Sequence, residues 1–210
     1  MMNLSRFFVL LGMVAMLQAC AVTPVATPIP VESSPTLQQQ HLQQISVIQQ
    51  FSIKGRIGVQ SEGKGFSGGL TWQHDSLNDD ISLYSPLGGQ VASIKKNPEK
   101  VTLEDGKGNS ISAIDAETLT QNTLGWRLPL TGLADWSLGR PASSPIQAST
   151  QDEQGRLITL KQDGWEIEYQ NYSEQSGYAL PGKILLKNEK VSLKLLVEQW
   201  QIINPNPTPN

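Results

Sequence analysis

Phe51-Ser52-Ile53-Lys54-Gly55-Arg56-Ile57-Gly58-Val59-Gln60 alternates inward-type and outward-type residues along its length. A period of two puts Phe51, Ile53, Ile57 and Val59 on one side of an extended chain and Lys54, Arg56 and Gln60 on the other, as in a strand with one dry face. Phe66, Gly68, Leu70 and Trp72 repeat the pattern, as do Ile81 and Leu83, Val101 and Leu103, and Ile111 and Ala113. Further strands are predicted over 157–161, at Trp165, Ile167 and Tyr169, over 183–187 and over 191–196. Asp105-Gly106, Asp163-Gly164 and Asn188-Glu189 are turn signals, so neighbouring strands pair as antiparallel hairpins. Gly55, Gly58, Gly68 and Gly69 inside strands fit tight curvature or bulges.

Three segments change the rhythm. Over 36–48, Leu42, Ile45 and Ile48 recur at three-residue spacing, which predicts a helix with one apolar stripe and a Gln-rich, solvated opposite face that includes His41. A low-complexity, unstructured tract is the competing reading of the same residues. Asp115 caps a predicted helix over 116–124 that stops at Gly125, and a second fits 132–138 before Gly139 and Pro141. The residues alone therefore describe a strongly curved antiparallel sheet with a few helices laid against it.

The N-terminus reads as an export signal. Arg6 precedes the apolar run Phe7–Met16, and Leu17-Gln18-Ala19 leads into Cys20, the sole cysteine. The run is too short for a bilayer core, which takes about 20 residues. A lone thiol in an oxidising compartment has no disulfide partner, so Cys20 reads as a lipidation site in a bacterial lipobox. A plain secretory signal that ends at a cysteine is the bland alternative. Cleavage after residue 19 leaves 191 of 210 residues, and loss of Arg6 moves the formal charge from −3 to −4. Lys and Arg are scattered, which argues against nucleic acid as a partner. The expected division is a signal over 1–19, lipidated cysteine and Pro-rich tether over 20–36, one folded domain over 37–203 and an unstructured tail over 204–210.

Catalytic signatures are scarce. His41 and His74 lack metal-site spacing, so no metal or other cofactor is implied. His74-Asp75 resembles an orienting pair for a nucleophile but falls in a predicted turn. There is no nucleophile elbow, phosphate loop or dinucleotide fingerprint, and Gly63-Lys64-Gly65 reads as a turn. Glu166 and Glu168 are the carboxylates that a hydrolase built on this sheet would draw on.

Ser85-Pro86-Leu87-Gly88-Gly89 is the unusual loop, because a turn tip normally carries polar residues and this one carries Leu87. Either Leu87 folds back onto the core, or it projects as a single apolar group that gains ~1.5–3 kcal/mol if buried in a bilayer.

Several stretches together resemble one family. They are Leu70-Thr71-Trp72-Gln73, Leu83-Tyr84-Ser85-Pro86-Leu87-Gly88, Leu128-Pro129-Leu130 with Leu133, Trp136, Leu138 and Gly139, Leu180-Pro181, and Leu193-Lys194-Leu195 with Trp200. With the lipobox, they are similar to the outer-membrane lipoprotein receptors of the LolB family, from about Leu42 to Ile202. The resemblance implies a mainly β, single-domain, incomplete (half-open) antiparallel β-barrel, with helices closing an apolar cavity. It implies acceptance of acylated lipoproteins from the periplasmic carrier LolA and their insertion into the outer-membrane lipid bilayer, without enzymatic activity and as a monomer. It also implies diacylglyceryl transfer and N-acylation at Cys20, and membrane targeting through Leu87. Ser85 departs from the family, where asparagine is the better match. Ala21 after the lipidated cysteine, where aspartate would signal retention, implies residence in the outer membrane. The expected cavity wall for client acyl chains is Phe51, Ile57, Val59, Leu70, Trp72, Leu83, Trp165, Ile167 and Tyr169, the inward apolar positions of the predicted strands. Two other classes compete: an envelope-docking lipoprotein without an acyl cavity, and a periplasmic hydrolase.

Overall fold

Alternation along the chain becomes eleven strands of one antiparallel sheet in a computed structural model that describes residues 35–61, 63–125 and 127–203. Helix α1 (Pro35–Ser46) precedes β1 (Phe51–Ser61), β2 (Lys64–His74), β3 (Asp79–Tyr84), β4 (Gln90–Lys96), β5 (Val101–Asp105) and β6 (Ser110–Ala113). Helices α2 (Ala116–Leu124) and α3 (Leu130–Ser137) follow, then β7 (Ile146–Gln151), β8 (Leu157–Gln162), β9 (Trp165–Gln175), β10 (Tyr178–Lys187) and β11 (Val191–Ile202). The order β6-β5-β4-β3-β2-β1-β11-β10-β9-β8-β7 leaves β6 and β7 as edges that do not pair with each other, so the sheet is unclosed. The expected cut at 19/20, the tether over 21–34 and the tail lie outside the described residues. The described residues between 35 and 203 belong to one compact unit that holds the whole described core, so a segment spanning them carries what it needs to fold.

The inward face is built from cross-strand rows. Ile111, Leu103, Ile94, Ile81, Trp72, Ile53 and Trp200 oppose one another in turn across seven strands. A second row runs Phe66, Val59, Leu193, Leu186, Ile167 and Leu160. Cross-strand apolar pairs of this kind stabilise a sheet and hold its register. Glycines make the curvature possible. A Cβ at Gly55 would lie 2.1 Å from the Leu196 carbonyl oxygen, beside the bulge at Lys54/Gly55, and one at Gly68 would lie 2.0 Å from that of Tyr84. Only a residue without a side chain lets the neighbouring backbone come so close.

Helix α2 forms where Asp115 predicted it. Its carboxylate accepts from the Glu117 and Thr118 amides, and Gly125 ends the helix with φ +84°. Helix α3 starts at Leu130, two residues before the predicted start, because the Pro129 carbonyl accepts from the Gly132 and Leu133 amides. Helix α1 runs over Pro35–Ser46 rather than 36–48, and Ile45 and Ile48 are buried as the stripe predicts. His41 departs from expectation. It is buried against Tyr172 rather than solvated, its ring edge-on at 6.4 Å.

The sequence reading missed β7. It is an edge strand, largely exposed and without alternation, so no period-two signal marks it. It also shortened β10 and β11, which run through Pro181 and to Ile202. Pro181 sits beside a gap in the pairing at Gly182 and Asn171, where Asn171 has φ +58° and a Cβ at Gly182 would lie 2.8 Å from the Asn171 carbonyl oxygen.

Antiparallel order sorts the turns onto two rims. One rim carries the turns after β1, β3, β5, β8 and β10. The other carries the turns after β2, β4, β7 and β9, and the start of β1. Helix α1 begins at this second rim, its Leu37 and Gln38 backbone tight against Gly155 of the β7–β8 turn.

Candidate lipid-handling site

The β3–β4 turn explains itself from its residues. Proline presets φ at Pro86, and Gly88 supplies the left-handed conformation with φ +88°. The Gly88 amide donates to Ser85 O at 2.9 Å and the Ser85 amide to Gly89 O at 2.7 Å, so the backbone satisfies itself within the turn. Ser85 in place of asparagine leaves that turn intact. Leu87 is held at its tip and is 99% exposed. Of the two sequence readings, the projecting one is what the structure shows. Lining the opposite side of the sheet wall is the apolar interior.

That interior is closed. Ile57, Leu70, Trp72 and Leu83, four of the nine predicted wall residues, meet Ile81, Leu128, Leu133, Leu193 and Leu195 around an enclosed cavity of about 10 Å³. That is about the space one water molecule takes. Phe51 instead centres an aromatic cluster, 5.2 Å from Trp72, 5.4 Å from Trp200 and 4.9 Å from His74 between ring centroids. Val59 and Ile167 face each other in the second inward row through Leu193 and Leu186, and Trp165 and Tyr169 are buried further along β9. Leu128 and Leu133 were missed as lining residues because they lie on the loop and helix that roof the sheet. Only a reading of the roof as part of the pocket would have found them.

The roof is tied down by polar contacts at its ends. Trp136 donates to Gln162 Oε1 at 2.8 Å, and the Leu128 amide donates to Thr120 Oγ1 at 3.0 Å. Arg140 donates from Nε to Asp135 at 2.7 Å and from Nη1 to the carbonyls of Ile45 and Ile48. Between these ties the roof packs on the sheet through buried Ile45, Ile48, Leu130, Leu133, Trp136 and Leu138.

Wider hollows lie outside that small cavity. A trough of about 700 Å³ is lined by Val59, Phe66, Leu160, Ile167, Leu186 and Leu193 of the second row together with Lys161, Glu166, Lys187 and Lys194. It thus joins apolar and charged side chains and takes in two of the predicted wall residues, Val59 and Ile167. A second of about 770 Å³ borders His74, Asp79 and Lys96 at the rim opposite Leu87. In the trough, two lysine ammonium groups at 2.5 and 2.9 Å hold the Glu166 carboxyl down to about 2. Glu168, which lines the same trough, accepts from the Gln170 side-chain amide. His74 bonds Asp79 at 2.7 Å rather than Asp75, which caps the turn amides of Leu77 and Asn78. Among the described residues no group of three or more His, Cys, Asp or Glu could hold a metal ion, and no helix is long and apolar enough to cross a membrane.

Fold and site define a class: an unclosed antiparallel half-barrel whose apolar face is roofed by short helices and whose rim displays a single leucine. A protein of the DUF1329 family from Desulfovibrio piger has this fold, with a TM-score of 0.51 and 6% identity over 82% of this chain and 92% of that one. The profile of the family "Outer membrane lipoprotein LolB" matches residues 49–200. Relatives called outer-membrane lipoprotein LolB are 33% identical in Pseudomonas savastanoi pv. phaseolicola, over 93% of this chain and 96% of that protein, and 33% identical in Nitrosococcus oceani, over 96% and 100%. The chain belongs to the LolB family of outer-membrane lipoproteins, whose role is reception in lipoprotein localisation.

Proposed function

We propose that this protein is anchored through lipid on Cys20 to the periplasmic face of the outer membrane. There, as a monomer, it takes acylated lipoproteins from the carrier LolA into the apolar half-barrel and releases them into the bilayer beside Leu87. The observation that carries the reading is the pairing of a 99% exposed Leu87 with a sheet face lined by buried apolar side chains. Drawing an acyl chain through water costs ~0.8 kcal/mol per methylene. Passage from one apolar cavity to another avoids most of that, and a tenfold preference for the receiver takes only ~1.4 kcal/mol. No nucleotide is needed. With that cavity at about 10 Å³, entry of a chain there requires the roof residues Leu128 and Leu133 to move off the sheet.

The closed interior also favours a second reading, an envelope-docking lipoprotein that binds no acyl chain. One assay separates them: transfer of LolA-bound lipoprotein to outer-membrane vesicles. Wild type should bind the client and deliver it. Leu87→Glu should bind the client but fail to deliver, because a charge is costly to place in hydrocarbon while an exposed loop residue hardly affects folding. Delivery by Leu87→Glu at the wild-type rate overturns the role given to Leu87, and absence of client binding by wild type establishes the docking reading.

A further inference from the structure

Among the described residues, two buried side-chain polar atoms make no hydrogen bond within the protein: Tyr169 Oη and His41 Nε2. A buried polar group without a partner is destabilising, and each one in a native structure calls for an explanation. Both orphans touch one ring. Tyr169 lies 6.4 Å from Tyr172 between centroids, and His41 meets the same Tyr172 at 6.4 Å. The Tyr172 hydroxyl is itself occupied, donating to Leu157 O at 2.9 Å.

Their position relates them to the apolar interior. Tyr169 opposes Ile184, which opposes Leu195, which opposes Ile57, in one inward row. Leu195 and Ile57 wall the enclosed cavity. The unpaired hydroxyl therefore belongs to one end of a dry row, on the part of β9 whose Tyr172 meets His41 of α1. Burial keeps the Tyr169 phenol protonated by pushing its pKa well up, and burial keeps His41 neutral by pushing its pKa down.

We propose that Tyr169 Oη, with His41 Nε2 beside it across Tyr172, is a polar subsite for the ester or amide carbonyl at the head of a long acyl chain. The inference rests on the acyl-binding reading above and adds to it the chemistry recognised. A hydrocarbon tail alone gives a cavity no orientation. A phenol O–H donating to the acyl carbonyl fixes which end of the chain lies at α1 and which end runs along the row toward Leu195 and Ile57. Cargo would supply the partner that no protein group gives the phenol.

The test uses residues 33–210 and two fluorescent probes of equal chain length, pyrenedecanoic acid methyl ester and 1-decylpyrene, which lacks the carbonyl. Tyr169→Phe removes one oxygen and keeps the ring. It should weaken the ester about three- to tenfold, the span expected for one net hydrogen bond, while decylpyrene affinity stays within about twofold. The empty variant should melt at or above the wild-type temperature, because the orphan group is gone. Equal effects on both probes, or none on either, overturn the subsite while leaving acyl binding intact. Binding of neither probe by wild type overturns the acyl reading and the subsite together.

Discussion

Arg140 Nη1 donates to the Ile45 carbonyl at 2.7 Å, so a side chain following α3 closes the C-terminal end of α1. The same nitrogen reaches Ile48 O at 3.2 Å while Nε holds Asp135 at 2.7 Å. Helix ends leave carbonyls without partners, and a guanidinium satisfies them with charge-assisted bonds. Arg140→Ala should lower stability by about 2 kcal/mol, as expected for hydrogen bonds to a charged group. It should also speed amide exchange in α1 before that of the central strands. Uniform acceleration across the molecule would show that α1 is not separately latched.

Asp79 is the second polar anchor. It is buried and accepts from Trp72 Nε1 at 2.9 Å, from Lys96 Nζ at 3.1 Å and pairs with His74 Nδ1 at 2.7 Å. Burial pulls its pKa upward, but the His74 hydrogen bond, Lys96 and the indole outweigh that and leave the carboxyl below its ordinary 3.8. A depressed folded-state pKa contributes stability that is present above the unfolded value and lost as pH falls through the folded one. Thermal melts should therefore fall off below pH 4 in wild type, and less steeply in Asp79→Asn. Asp79→Ala should cost about 3–5 kcal/mol at neutral pH, because Lys96 and Trp72 lose their buried partner. Denaturant midpoints measure both.

Two glycines of β1 and β2 should behave oppositely. Gly68→Ala drives a methyl to within 2.0 Å of Tyr84 O and should destabilise by about 1–3 kcal/mol through overpacking. Gly58→Ala meets nothing within 4 Å and should be neutral or stabilising by roughly 0.4–1 kcal/mol. Urea titration of the pair checks the curvature argument, since matching losses would remove its basis.

Rim geometry gives the tether a length requirement. Helix α1 starts at the rim opposite Leu87, and a strand such as β1, with 11 residues, is about 36 Å long. The 14 residues over 21–34 reach at most about 50 Å. With Cys20 lipidated, Leu87 meets the same membrane only if that segment spans the sheet. Deleting residues 24–31 should leave client binding unchanged and slow delivery several-fold, and a Gly-Ser segment of the original length should restore it. Unimpaired delivery after the deletion would refute the geometry.

Much of the fold follows from local pattern. A two-residue period decides which side of an extended chain is apolar, so β1, β2, β5, β8 and β9 and their inward residues were legible. Asp115 and Gly125 set the ends of α2, and Pro86 and Gly88 set a turn, because caps and turns depend on backbone angles within a few residues. The site was legible in part. Ile57, Leu70, Trp72 and Leu83 line the cavity as inward strand positions, whereas Leu128 and Leu133 enter from the roof.

By itself, then, the sequence determined where the alternating strands, the turns and the α2 caps lie, since each is settled by neighbours along the chain, but not the exposed edge strand β7 or the full length of β10 and β11. Tertiary structure decided that Leu87 projects, that His41 is buried, that Asp79 gathers Trp72, His74 and Lys96, and that Leu128 and Leu133 come down from the roof onto the cavity. The physical reason is that a curved sheet brings together residues as distant as 45 and 140, and only the packing of the roof onto it fixes which atoms fill the space and which are left facing water.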